Sequence, residues 1–369
     1  MNTEQIYALV NDAASQALGG TIAVLDTSSL ISLGNTVLSS STNTEAFLNV
    51  LAQRIGRTIY RYREYNNKFK DLVVNDMEWG AILQKIRVEM PAAVEDKAYN
   101  LVDGQSIDPF VVHKPKADQK LFVTRTPYMF EITIQKVTLK EAFLSEESMG
   151  SFIALVYGEV RNAIEYALEN LGRLTIATAI VEADRTSQNI LLLTEYHDET
   201  GITLTADQAK HDPDFMRFAI YRINNVIDML QDMSKSFNDG SFETFTNKEN
   251  MRIKVLSSFQ RRLETVVEYA AFHDQFTSVD GQYKTVNFWQ SSDTPDEVDI
   301  KRPSDDKEVT ESGIIAVIYD RDALGIYQID EEVATSPINQ RGLYFNQAWH
   351  EKQGRFIDKS ENFVNFYLS

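Results

Sequence analysis

The stretch SEESMGSFIALVYGEVRNAIEYALENLGRLTIATAIVEA, Ser145 to Ala183, decides how the rest of the chain is read. Ser145 can cap a helix, and Glu146 and Glu147 stand in its first turn, where carboxylates complement exposed amide dipoles. Apolar residues then recur at Met149, Ile153, Val156, Val160, Ile164, Ala167 and Leu171, in steps of three and four that build one stripe. Glu159, Arg161, Asn162, Glu165, Glu169 and Arg173 occupy the other side. A single helix of this length would run about 58 Å at 1.5 Å per residue. The alternative is two ordinary helices broken at Leu171-Gly172. Average helices have about 11–12 residues, so an unbroken one is a spine for the whole chain.

Composition narrows the function. The 369 residues suffice for two or three packed regions, and 43% hydrophobic with 11% aromatic content fits a globular protein. A net charge of −18 argues against a basic face that neutralises nucleic-acid phosphates. The absence of cysteine removes disulfides, thiolate metal sites and cysteine nucleophiles together, and makes a cytosolic site of folding the default. No apolar run approaches the ~18 residues of a membrane span. Met1-Asn2-Thr3-Glu4-Gln5 lacks the basic region of a signal peptide.

Outward from the spine, residues 1–20 read as an amphipathic helix and Thr21 to Leu25 as a short buried strand. Residues 27–45 read as a connecting arm rich in Ser, Thr, Asn and Gly. A helix from Thr44 to Tyr65 carries Arg54, Arg57, Arg61 and Arg63, the most basic patch of an acidic chain. Between Asp76 and Glu141 the period changes to two, at Ile86–Met90 and at Phe130–Val137. Asp103-Gly104, Pro109 and the charged run His113 to Lys120 separate these segments. The region reads as a two-stranded excursion, marginal alone and stabilised by packing on another copy. After the spine, residues 186–211 read as mixed and turn-rich, and a helix is predicted from Pro213 to Phe237, capped by Asp212. Strands are predicted at Ile253–Leu256, Tyr283–Phe288, Ile314–Tyr319 and Asn362–Leu368. A helix is predicted at Phe259–Phe272, a turn at Asp280-Gly281, and a solvated acidic loop over 293–311.

The search for chemistry finds no phosphate-binding glycine loop, no dinucleotide fingerprint and no nucleophile elbow. His113, His197, His211, His273 and His350 are scattered without metal-ligand spacing. Asp26 follows a predicted strand, as in small metal-dependent nucleases, but the further carboxylates such a site needs are not arranged around it, and a turn explains it equally.

Leu25 to Gly34 followed by Arg54-Ile55-Gly56-Arg57-Thr58-Ile59, the spine, and the closing segments Ile315 to Gly325, Asn339 to Asn346 and Asp358 to Val364 together resemble the major capsid proteins of tailed bacteriophages. Encapsulin nanocompartments share that fold. The resemblance covers nearly the whole chain and rests on the order of weak textures. It implies an α+β fold: an N-terminal arm and helix (1–75), an extended β-ribbon loop (76–137), a peripheral domain with the spine helix (138–200), an axial domain (201–335) and a C-terminal return to the peripheral sheet (336–369). It further implies a non-enzymatic shell subunit of the virion with no cofactor, no metal and no membrane. Its partners would be itself, in pentamers and hexamers, a scaffolding protein and a portal. The shell would assemble in the bacterial host cytoplasm and enclose double-stranded DNA without sequence-specific binding. An encapsulin-like compartment, or a nuclease using Asp26, are the alternatives. Lys114, Lys116 and Lys120 in the ribbon, with Arg54, Arg57 and Arg61, are the candidate inter-subunit contacts. No motif sets a Lys, an Asn and a catalytic carboxylate together, so covalent cross-linking is not expected.

Overall fold

A computed structural model describes residues 3–20, 23–55, 65–74, 83–91, 93–96, 99, 103–104, 106, 110–114, 117–266 and 283–369. The chain opens with three helices: α1 (Thr3–Leu18), α2 (Thr27–Val37) and α3 (Ser41–Ile55). Residues 23–25 are not a strand. Val24 is buried, and its backbone N–H and C=O are bonded by the Asn11 side chain at 2.6 and 3.2 Å. The expected connecting arm is also helical, because Asp26 caps α2 in a box with Ser29, and Leu30, Leu33 and Val37 fall on one buried face. The helix expected over 44–65 starts earlier, at Ser41, and is described as far as Ile55.

Next come β1 (Val73–Val74), β2 (Leu83–Val88), β3 (Ala117–Phe122) and β4 (Arg125–Gln135). β2 pairs with β3, Leu83 opposite Phe122 through Val88 opposite Ala117, and makes a separate two-stranded ribbon. The strand expected at 130–137 is β4, which starts earlier, stops at Gln135 and belongs to a larger sheet. After α4 (Lys136–Ala142) the spine is one unbroken helix, α5 (Glu146–Glu182), 37 residues or about 56 Å long. Ser145 caps it by accepting from the Ser148 N–H at 3.1 Å.

The chain continues through β5 (Asn189–Leu191), α6 (Leu192–Thr200), α7 (Ala206–Ala209), α8 (Pro213–Met229), β6 (Met251–Leu256), α9 (Ser257–Val266) and β7 (Tyr283–Val286). The 186–211 region is thus more helical than expected, and α8 ends short of the expected Phe237. The 267–272 end of the next predicted helix and the Asp280-Gly281 turn lie outside the described residues. The acidic segment contains a hairpin, β8 (Val298–Lys301) with β9 (Glu308–Glu311), where a loop was expected. The chain then closes with β10 (Ile314–Asp320), β11 (Leu324–Thr335), β12 (Tyr344–Ile357) and β13 (Phe363–Tyr367).

Two larger sheets result. One has the order β1-β11-β12-β4, the other β5-β13-β10-β6-β7. The chain passes between them three times, once through α4 and α5 from β4 to β5 and twice by short connections, at the β10–β11 turn and at the β12–β13 turn. The Asp358 N–H ties the two short crossings together by donating to the Ala323 carbonyl at 2.6 Å. Each sheet anchors its own core, and α5 lies across both. Met149, Phe152, Ile153, Tyr157 and Val160 pack with α1–α3 and with Phe345 and Trp349 of β12. From Leu168 onward nearly every position is buried, in a second core with α8 and the five-stranded sheet.

The exposed face expected for the spine therefore fails at its C-terminal half. Glu169 and Arg173 are buried, paired with each other one turn apart. The Arg173 guanidinium lies between rings, 3.9 Å from the centroid of Phe288 and 5.0 Å from that of Phe69. Arg173 also donates to the Phe288 carbonyl. Gly172 does not break the helix. A Cβ there would stand 2.6 Å from Cβ of Phe69, so glycine lets this ring pack against the backbone.

Candidate assembly surfaces

Asp26 is an exposed cap. Its carboxylate accepts from the Ser29 N–H at 2.8 Å and the Ser29 hydroxyl at 2.7 Å, and hydrogen bonds from Ser29 lower its pKa. Among the described residues no group of three or more His, Asp or Glu could hold a metal. What the fold does present is surface chemistry, and the ribbon carries the clearest case.

Strand alternation gives the ribbon two faces. Lys85, Arg87, Lys120 and Phe122 turn inward; Ile86, Val88 and Leu121 turn outward and are 63%, 57% and 54% exposed. The inward face thus sets three cations beside Leu83 and Phe122, unlike a half-buried sheet, whose inner face is apolar. Lys85 meets Asp358 and Glu361, each at 2.8 Å, and donates to the Asp322 carbonyl at 3.2 Å. Arg87 reaches Glu361 at 3.4 Å and stacks over Phe242 at 5.1 Å. Lys120 meets Asp358 at 2.7 Å and Asp239 at 4.0 Å. Phe122 packs on Phe356 at 5.4 Å between centroids. Burial pushes the Asp358 carboxyl up, but hydrogen bonds from Lys120, Lys85 and Ser360 outweigh it and hold the group well below the usual carboxylate range.

The sequence-predicted contact set is dispersed. Lys120 is engaged within its own chain, and Lys114 is exposed in the segment between the ribbon strands. Arg54 lies on α3; Lys116, Arg57 and Arg61 lie outside the described residues. Sequence reasoning did not find Lys85, Arg87 or their acceptors. The signal was present: Leu83 to Val88 alternates, but with cations on one of its faces.

The segment leading to the ribbon is pinned from below. Lys254 of β6 is fully buried and meets Asp71 at 2.5 Å, Lys284 adds 3.4 Å, and Tyr319 donates to the same carboxylate at 3.4 Å. Burial drives the Lys254 pKa down to about 8, with Asp71 opposing the fall. A second polar feature lies between α5 and the four-stranded sheet, a cavity of about 250 Å³ lined by Lys70, Arg161, Glu165, Glu331, Trp349 and Glu351, among others. Glu351 is 3% exposed and faces Glu331 across the ladder. Desolvation first, and then Glu331, push its carboxyl up to about 7.

The fold thus combines two cores, one helix that spans both, and a ribbon outside the two larger sheets. A chain from the capsid structure of Staphylococcus phage Andhra superimposes with a TM-score of 0.58 at 11% identity, covering 85% of this chain and 87% of that one. A chain from a structure of the head fiber and inner core protein of native bacteriophage P68 gives 0.53 at 11% identity, with the same 85% and 87% coverage. At such identities the likeness shows the fold. The family follows from sequence: the profile of the Phi29-like phage major capsid proteins matches residues 8–367, and the chain belongs to that family. The major capsid protein of Bacillus phage PZA is 22% identical over 338 residues, 90% of this chain. The chain spans 66% of the length of that relative.

Proposed function

We propose that this chain is the repeating subunit of a phage head shell, and that it self-associates into pentamers and hexamers around double-stranded DNA in the virion. The family match across residues 8–367 carries this reading. The ribbon supports it, since an apolar outer face on a two-stranded hairpin calls for cover that the described residues of the same chain do not supply. Repeated modest contacts then sum to a stable closed shell. The charge of −18 suits a container whose DNA must move during filling and release. A separate scaffolding protein and a portal complete the arrangement, with assembly in the host cytoplasm.

For the domain layout, the sheet pairings favour a ribbon narrower than 76–137, confined to β2, β3 and the residues between them. They favour a peripheral unit that takes in β4, α5, β11 and β12, and an axial unit built on β6, β7 and β10. Lys114 is the member of the predicted contact set best placed to meet a neighbouring subunit. Negative-stain microscopy of the purified protein tests the function: closed shells or capsomers are expected. A monodisperse monomer at high concentration, under all salt conditions tried, would sink the proposal.

A further inference from the structure

The ribbon's inward cations do not land on an arbitrary surface. Asp358 and Glu361 belong to the β12–β13 turn, one of the two short crossings between the sheets. The Asp322 carbonyl, which accepts from Lys85, belongs to the other, the β10–β11 turn. Arg87 donates to the Ser360 carbonyl at 3.3 Å, again in the first crossing. Apart from Phe122 on Phe356 and the Tyr327 hydroxyl, which donates to the Phe122 and Thr124 carbonyls at 3.3 and 3.1 Å, the recorded contacts of the ribbon strands with the rest of the subunit are made by cationic side chains.

We propose that Lys85, Arg87 and Lys120 form a salt-labile latch that holds the ribbon on the two short crossings between the sheets, so that ribbon tilt follows the angle between those sheets. A hydrophobic seam would fix the ribbon permanently, because burying apolar surface is insensitive to moderate salt. Lys85 and Lys120 keep about 30% of their side-chain surface in solvent against 2% for Asp358, so salt reaches these pairs from the cationic side, where exposed charges are screened within about 10 Å at 0.1 M. The latch needs Asp358 and Glu361 ionised, and the groups facing them are Lys85, Arg87 and Lys120 from the ribbon, with Asp239 and Ser360 beside them.

Hydrogen exchange on the full-length, unassembled subunit tests this. In Lys85→Gln/Lys120→Gln, amides of β2 and β3 should lose protection about tenfold, the population change a few partly exposed ion pairs carry. Amides of β6 and β10 should not change. Wild-type protein moved from low to molar salt should lose the same ribbon protection, and Lys85→Arg/Lys120→Arg should keep it. Ribbon protection equal to wild type in the Gln variant, or indifferent to salt, overturns the latch. So does a loss spread evenly over the five-stranded sheet, which would make the cluster a general structural support.

Discussion

Two identical glycine-to-alanine changes on the same helix should have opposite signs. At Gly158 a Cβ meets nothing within 4 Å, so alanine brings only its helix preference, about 1 kcal/mol. At Gly172 the same gain is opposed by contact with Phe69, whose Cβ and Cγ would lie 2.6 and 3.0 Å from the new methyl. Those atoms are the root of a side chain that is 1% exposed, held between Gly172, the Arg173 guanidinium and the Lys254 ammonium 5.3 Å from its ring. The ring cannot swing away, so relief requires moving the 65–74 segment with its buried Asp71–Lys254 pair. Overpacking of this kind costs about 1–3 kcal/mol. Gly172→Ala should therefore destabilise by up to about 2 kcal/mol, and Gly158→Ala should stabilise by about 1 kcal/mol. Urea unfolding of the unassembled subunit, with the slope checked for constancy, measures both. Gly172→Ala as stabilising as Gly158→Ala would refute the close approach of Phe69 to the helix backbone.

Val160→Asp should abolish folding or assembly. It exchanges an apolar side chain that is 4% exposed, worth about 1.5–3 kcal/mol, for a carboxylate whose unpaired burial costs several more; normal shells from this variant would refute the placement of α5. Glu351→Gln should flatten the pH dependence of stability. The folded carboxyl titrates near 7, above its ordinary 4.5, so the wild-type protein loses stability as pH rises from about 4.5 to about 7 and is level above. The variant should gain up to about 3 kcal/mol at pH 8 and little at pH 4, and thermal melts across that range with an unchanged slope would count against the burial of Glu351 opposite Glu331.

What the sequence made legible follows from whether local pattern and tertiary outcome agree. Ser145 to Ala183 was readable because cap, first-turn carboxylates and an uninterrupted stripe all point one way. β10 and β13 were readable as dense apolar runs. β12 hid because Gln347, Glu351 and Gln353 fill inward positions, which erases the apolar alternation of a strand that does alternate in burial. Glu169 and Arg173 read as solvated because nothing nearby in sequence announces Phe69 and Phe288. In α2 the signal was there, in Asp26, Ser29, Leu30, Leu33 and Val37, but the Ser, Thr, Asn and Gly around them read as a loop. The ribbon's inward charges depend on carboxylates more than two hundred residues away, a pairing no local pattern carries.

The position of the last strands has a bearing on synthesis. β13 lies inside the five-stranded sheet, between β5 and β10, and all five of its residues are buried. Phe345 and Trp349 of β12 complete the other core, and β12 supplies the only sheet partner that β4 has among the described strands. Neither core can close until the segment from Tyr344 to Tyr367 has left the ribosome. On the proposed shell function, a nascent chain halted short of it would offer no finished face to a growing lattice.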